Sequence, residues 1–267
     1  MTTERLTRLS PVLLCALVSG CSIAPGNQPQ WLEGHGFIEN TSWIAASVDG
    51  VHALKDGRVF RYPGGWDNPW EQAFDANGRM FAVDETARWF LSDDGVLSKK
   101  TGDRTEVMTS GGGVSRFVLA TNGEAIVISS KSHARFLRNG GFVDTACGDR
   151  PATAVALDNG GVVILDPQGK LWTASGEACR ELAAPFAASD VSGTDIDGGH
   201  FRLAAIDRDG SPWLLREEAR WEQLPKPIVY RPGRWPRRVG VAQIVVRPLA
   251  VYARSHEGQV FVFSDPR

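Results

Sequence analysis

Gly113-Val114-Ser115-Arg116-Phe117 is the nearest approach of this chain to a catalytic nucleophile. A nucleophile elbow needs glycine two residues to either side of its serine, so that the strand can turn sharply beneath it, and Phe117 fills the second place. His35, His52, His133, His200 and His256 lie scattered, with no His-x-x-x-His or similar ligand spacing. No pair of carboxylates stands out for acid–base work. Asp190-Val191-Ser192-Gly193-Thr194-Asp195-Ile196-Asp197-Gly198 is acidic enough to test as a calcium loop. With Gly198 as the turn glycine, the first ligand would fall on Gly193 and the bidentate glutamate on Ala204, and both are wrong. Gly210 fares no better, with Ala205 first and Arg216 last. Other oxygen ligand sets for calcium stay open. We therefore expect a non-enzyme with no catalytic residue, no cofactor and no metal centre.

Tyr230-Arg231-Pro232-Gly233-Arg234-Trp235-Pro236-Arg237-Arg238 points to binding instead. Guanidinium groups capture carboxylate or phosphate and stack on rings, and arginine with tryptophan is the composition of interface hot spots. The chain as a whole is slightly acidic, with 29 Lys and Arg against 31 Asp and Glu. A general nucleic-acid binder would be basic, so nucleic acid is not the expected partner. An acidic protein, anionic lipid or cell-wall carboxylates would suit the loop. Trp66 and Trp70 occupy another Pro/Gly-rich segment and join Arg231, Arg234, Trp235, Arg237 and Arg238 as expected partner-binding residues.

The compartment is set by residues 1–21. Arg5 and Arg8 precede Val12–Val18, an apolar run of seven residues. A transmembrane helix needs roughly 20. A basic start, a short apolar run and small residues before a cut site have the shape of a secretory signal peptide. Val18-Ser19-Gly20-Cys21 resembles the bacterial lipobox, and an ordinary signal peptide cut near Ala24 is the alternative. The resemblance implies a 1–20 signal peptide, an acylated Cys21 as mature N-terminus and, with Ser22 rather than Asp next, sorting to the periplasmic leaflet of the outer membrane. Loss of Arg5, Arg8 and Glu4 with the signal leaves 27 positive against 30 negative charges, a balance of −3. Two or more acyl chains, each buried methylene contributing about 0.8 kcal/mol, anchor a protein durably. Residues 21–30 then read as a flexible tether reaching on the order of 30 Å, and 31–267 as one domain. Cys147 and Cys179 remain, and in an oxidising periplasm an isolated pair is most simply a disulfide. Two buried free thiols or metal ligation are the alternatives.

The body repeats a short unit. Asp75-Ala76-Asn77-Gly78-Arg79-Met80-Phe81, Asp166-Pro167-Gln168-Gly169-Lys170-Leu171-Trp172 and Asp207-Arg208-Asp209-Gly210-Ser211-Pro212-Trp213 share Asp, then Gly, then an apolar–aromatic pair. Lys55–Phe60 and Ser255–Phe261 are looser copies. Each reads as a tight hairpin: glycine takes the positive φ and the aspartate side chain caps the turn. Asp94-Gly95, Asn122-Gly123, Asn139-Gly140 and Asn159-Gly160 add turns between short β-rich runs, and no window shows helical periodicity.

The glycines recur at 38 residues from Gly57 to Gly95, at 41 from Gly169 to Gly210 and at 48 from Gly210 to Gly258. About 40–45 residues make a four-stranded propeller blade. The repeats, with Trp213 followed by Trp221, resemble those of tectonin, regulator-of-chromosome-condensation and BamB-like β-propellers. The expected fold is all-β, a propeller of five to six blades, with a large β-sandwich as alternative. Trp172, Trp213 and Phe81 are expected to pack between blades. Fold analogy alone does not carry function. The functional expectation is a non-catalytic, membrane-anchored protein-binding scaffold of the envelope, with an immunity protein against a toxic effector as one variant and a lectin-like glycan binder as the alternative.

Overall fold

The computed structural model describes residues 30–33, 38–47, 50–62, 69–76, 78–109, 113–120, 124–129, 131–138, 140–158, 161–194, 203–216, 220–231, 233–247 and 250–264. Six four-stranded antiparallel sheets make up this body, and no helix occurs among the described residues. Blades 1 to 5 are meanders in chain order. Their innermost strands are Trp43–Ser47, Met80–Val83, Val114–Leu119, Ala154–Asp158 and Ala188–Gly193. Blade 6 takes its inner three strands from the C-terminal end, Val241–Arg247, Ala250–Ser255 and Val260–Ser264, and its outermost from Gln30–Glu33. Each innermost strand touches the innermost strands of the blades before and after it, and blade 6 touches blade 1. The sheets therefore close into a six-bladed β-propeller, and the sandwich alternative falls away.

Burial follows strand position. Ala154–Asp158 is buried along its whole length and Ala125–Ser129 along all but its last residue. Such sheets are covered on both faces, so these strands read as continuous apolar runs rather than alternations. Outer strands such as Arg104–Val107 and Gly141–Asp144 are exposed throughout.

Ring closure is a strand pairing. Trp31 lies opposite Phe263 in the register of blade 6, their rings 5.1 Å apart, and the Trp31 indole N–H donates to the carbonyl of Pro225 at 2.6 Å. Gln30 at the end of the expected tether is the first residue of this strand. The lipobox, Cys21 and the rest of residues 1–29 lie outside the described residues.

The turn between the second and third strands of each blade makes one contact six times over. Its carbonyl accepts a hydrogen bond from a backbone N–H of the segment that leads into the next blade. Gly57 accepts from Ala76 (2.9 Å), Gly95 from Val114 (3.1 Å), Ser132 from Ala152 (2.5 Å), Gly169 from Ala188 (2.8 Å), Gly210 from Val241 (2.9 Å) and Gly258 from Thr41 (3.3 Å). Four of the glycines also leave no room for a side chain. A Cβ would sit 2.8 Å from the carbonyl oxygen of Val114 at Gly95, 2.9 Å from that of Ala188 at Gly169 and 3.0 Å from Gly240 Cα at Gly210, and would overlap the Thr41 backbone at Gly258. In blade 3 the position is Ser132, which keeps the positive φ of 60°. That substitution hid a blade from the glycine pattern, because Ser132 lies midway between Gly95 and Gly169.

Two features of the repeat were read differently from sequence. Asp75–Phe81 is not a hairpin: Asp75 ends the outer strand of blade 1 and Met80 opens blade 2. An Asp-Gly turn followed by strand alternation looks the same whether the chain folds back in one sheet or crosses to the next. The long 48-residue spacing arises because an extra two-stranded hairpin, Ile228–Val229 with Arg237–Arg238, stands between blades 5 and 6. Turns 122–123 and 159–160, and Asn139, lie outside the described residues.

The aspartates do more than cap. Asp166 Oδ1 accepts from the Gln168 and Lys170 N–H groups, and its Oδ2 from the Trp172 indole at 2.9 Å. Asp207 repeats this with Asp209, Ser211 and Trp213. Asp84, between the first two strands of blade 2, does the same for Thr86, Ala87 and Trp89. Partial burial opposes ionisation at Asp84 and Asp207, but these hydrogen bonds bring both carboxyls below the usual range. Trp213 stacks on Phe186 at 4.5 Å, Arg150 covers the Trp172 ring, and Phe81 is buried. All three aromatics pack as expected. Cys147, at the junction of blades 3 and 4, is disulfide-bonded to Cys179 in the outer strand of blade 4.

The turn glycines predict a graded mutational series. Gly102→Ala, at a positive φ with open space around it, should cost about 1–2 kcal/mol of stability. Gly258→Ala adds an overlap with the neighbouring blade and should cost about 1–3 kcal/mol more. Urea denaturation of the two variants checks this, and equal losses would refute the packing role.

Candidate functional site

Strand direction alternates in each meander, so connections alternate between two rims. The second-to-third-strand turns and the blade-to-blade connections share one rim; the first-to-second and third-to-fourth turns share the other. The arginine-rich segment is a blade-to-blade connection and so stands on the first rim.

Its base is apolar. Val229 and Val239 are buried against Phe261, with Trp31 alongside. The hairpin ladder pairs Ile228 with Arg238 and Val229 with Arg237, and the Val239 N–H donates to Pro227 at 2.9 Å. Charges then hold its flank. Arg231 Nη2 lies 2.8 Å from Glu39 Oε1 and 3.8 Å from Glu257 Oε2. Arg237 donates to Glu257 Oε1. That hydrogen bond foremost, with the charges of Arg237 and Arg231, outweighs slight desolvation and holds the Glu257 carboxyl below the ordinary glutamate range. Glu257 belongs to the turn of blade 6 and Glu39 to the approach to blade 1, so the hairpin is fastened across the ring closure.

The tip carries no such ties. Trp235 is 93% exposed and Tyr230 58% exposed. Arg234 and Arg238 are exposed, and no carboxylate among the described residues pairs with either. A cleft of about 460 Å³ opens between Arg231, Arg234, Trp235 and Arg237, with Val229 and Glu257 in its wall. The structure thus brings Arg231, Arg234, Trp235, Arg237 and Arg238 together on one projecting hairpin. It places Trp70 elsewhere: half-buried on the other rim of blade 1, with its ring 5.4 Å from that of Tyr62. Trp66 lies outside the described residues.

A second concavity is the central channel, a chamber of about 530 Å³ lined from all six blades. Arg116 crosses it near the first rim. Its Nη2 meets Asp190 Oδ1 of blade 5 at 2.5 Å, and its guanidinium carbon lies 5.4 Å from the centroid of the Trp43 ring of blade 1. Asp190 Oδ2 accepts from the Ile244 N–H at 3.3 Å. Gln243 donates to the Ile44 carbonyl at 2.8 Å and accepts the Ile44 N–H at 2.9 Å, joining blade 6 to blade 1. Arg254 reaches Gln243 Oε1 and the Thr41 carbonyl; burial lowers its pKa and the charge of Asp190 opposes that. Every member is hydrogen-bonded to another blade or another strand, which is the chemistry of a brace rather than of acid–base catalysis. Asp190, taken from sequence as the first residue of an acidic loop, is a strand residue of this brace; Asp195 and Asp197 lie outside the described residues. Sequence reasoning missed Arg116, Gln243 and Arg254. The available signal was a charge or amide set inside an apolar strand, as in Val114-Ser115-Arg116-Phe117-Val118-Leu119.

No known protein family matches this chain, and no curated protein matches its sequence. Solved structures resemble its fold. A chain of the mitotic checkpoint complex superposes with a TM-score of 0.59 at 9% identity, over 92% of this chain and 98% of that one. The WD40 β-propeller domain of Doa1 gives 0.54 at 12%, over 87% and 95%. PorZ, an essential surface component of the type-IX secretion system of Porphyromonas gingivalis, gives 0.52 at 12% over 87% of this chain and 37% of PorZ. This chain therefore spans little more than a third of PorZ. At such identities the likeness is one of fold.

The Glu257 clamp gives a pH prediction. A carboxyl held below its ordinary value contributes fully above that value and is lost as pH falls through the lowered one. Amide protection across residues 228–238, measured against the unstructured peptide at the same pH, should therefore stay constant from pH 8 to about 5, the ordinary glutamate value being about 4.3, and should fall only in stronger acid. Glu257→Gln should lower that protection already at pH 7, by about twofold to thirtyfold if each of its two exposed pairs contributes about 0.2–1 kcal/mol. Unchanged exchange in the variant would remove the clamp.

Proposed function

We propose that this protein is a non-catalytic, protein-binding propeller of the bacterial cell envelope, held by a lipid on Cys21 at the periplasmic face of the outer membrane, and that the Arg/Trp hairpin is its contact with a partner. The observation that carries the reading is Trp235, 93% exposed at the tip of a hairpin whose base is rigidly fixed. Tryptophan is highly buried on average, and a large aromatic left in water next to arginines with no carboxylate partner among the described residues matches an interface hot spot. Magnitudes separate the roles. Covering an indole of roughly 200 Å² at about 25 cal/mol per Å² contributes about 5 kcal/mol before the costs of association. An exposed ion pair contributes about 0–1 kcal/mol. Trp235 would supply affinity, and the arginines orientation and steering.

The fold supports the reading from the other side. Arg116 and Asp190 of the channel are consumed by the brace, and the checkpoint structure that shares the fold is by its name a complex of proteins. The lipobox and the oxidised Cys147–Cys179 pair both suit an envelope protein. Within this reading a periplasmic toxin neutralised by the hairpin is one kind of partner.

Two experiments test the proposal. Crosslinked pull-down from intact cells should capture a partner with the natural chain and lose it by about tenfold or more with Trp235→Ala plus Arg234→Glu, a loss of hot-spot size, while the melting temperature stays put. Unchanged capture would take the hairpin out of the function, and retention on peptidoglycan in place of a protein would favour the glycan reading. For the anchor, labelled palmitate should enter the natural chain and not Cys21→Ala, with the variant released to the soluble fraction; a natural chain without label would end the lipid assignment.

A further inference from the structure

The charges of the hairpin are unequal, and the inequality describes the partner. Four guanidiniums, Arg231, Arg234, Arg237 and Arg238, face two carboxylates, Glu39 and Glu257. Arg231 and Arg237 are committed to those carboxylates, so among the described residues two positive charges, on Arg234 and Arg238, stay uncompensated on a chain whose net charge is −2. Arg234 lines the cleft beside Trp235, Glu257 is also in its wall, and Arg238 lies outside that lining. Next along the rim, Lys226 spends its ammonium on the Asp209 carbonyl and Arg208 its guanidinium on that of Gln168, which continues the basic edge.

We propose that the hairpin takes an extended acidic segment of the partner protein, with one carboxylate on Arg234 in the cleft, a second on Arg238 outside it, and an apolar or ring side chain against the Trp235 indole. This rests on the hairpin being the partner contact. Charge complementarity favours a peptide with separate single charges. A phosphate dianion is best held by converging guanidiniums, and here Glu257 already occupies Arg231 and Arg237 and presents a like charge to such a ligand. A flat anionic membrane meets the same objection, because it would press Glu39 and Glu257 as well as the arginines against its surface. A threaded chain also meets Glu257 in the cleft wall, but its separate single charges can turn toward Arg234 and Arg238 and away from that carboxylate.

The test uses the full chain in detergent and fluorescein-labelled octa-glutamate, followed by anisotropy, with octa-glutamine as the neutral counterpart. Octa-glutamate should bind and octa-glutamine should bind about tenfold more weakly or not at all. Raising salt from about 50 to about 300 mM should weaken binding severalfold, as screening shortens. Arg234→Gln with Arg238→Gln should lose about tenfold, whereas Arg104→Gln, an exposed arginine on the outer strand of blade 2, should lose nothing. Equal binding of octa-glutamine, no loss in the double variant, or hairpin-dependent binding of phosphatidylglycerol bicelles or inorganic phosphate in place of the peptide would each overturn the inference. A captured partner that octa-glutamate fails to displace would overturn it too while leaving the scaffold reading intact. Octa-glutamate binding with no partner captured from cells would do the reverse.

Discussion

One backbone hydrogen bond, made six times, organises this molecule. The carbonyl of each second turn accepts from an amide of the segment that leads into the following blade, so a local hairpin also serves as the joint between sheets. The geometry needs a residue that tolerates positive φ, and at four positions it also needs the absence of a side chain, because the next blade's backbone passes where a Cβ would be. A twisted sheet has two faces to cover, and a blade that docks on its neighbour through this joint covers both. Burial of the inner strands, such as Ala154–Asp158, follows from that stacking.

A ring held by local joints still has to close and keep its bore. Closure is non-local: Gln30–Glu33 pairs with Val260–Ser264, and Gln243 ties blade 6 to Ile44 of blade 1. Arg116 and Asp190 add a strut between blades 3 and 5, which are not neighbours. Such a pair is poor value as stability, since desolvating two charges can cancel their attraction, but removing one partner strands the other in a buried site. Its placement across the axis fits a role in fixing which blades face each other.

The inserted hairpin is rooted by Val229 and Val239 in a small apolar cluster and fastened by Glu39 and Glu257 from both sides of the closure. Ordering costs at its base are met within the fold, so a partner would have to order only the tip side chains, which lowers the cost of association. The repeated joints thus lie in the turns and the Arg/Trp chemistry in an insertion.

Much of this was legible in the order of residues. Asp-x-x-Gly hairpins, short β-rich runs and a period near 40 residues specify blades, because turn chemistry and strand alternation are local properties. The cysteine pair and the arginine–tryptophan cluster were legible by composition. Other features were not. Ser132 hid one blade, since its positive φ is imposed by the joint and not by its own preference. Asp75–Phe81 imitated a hairpin, since a turn does not encode which sheet the chain enters next. Arg116, Asp190 and Gln243 became partners only when the ring brought residues 74 and 199 positions apart into hydrogen-bond distance. Sequence by itself determined the repeating unit and the chemistry at its edges; tertiary structure decided the blade count, the brace and which arginines stay free, because each depends on contacts between segments that meet only after the ring has closed.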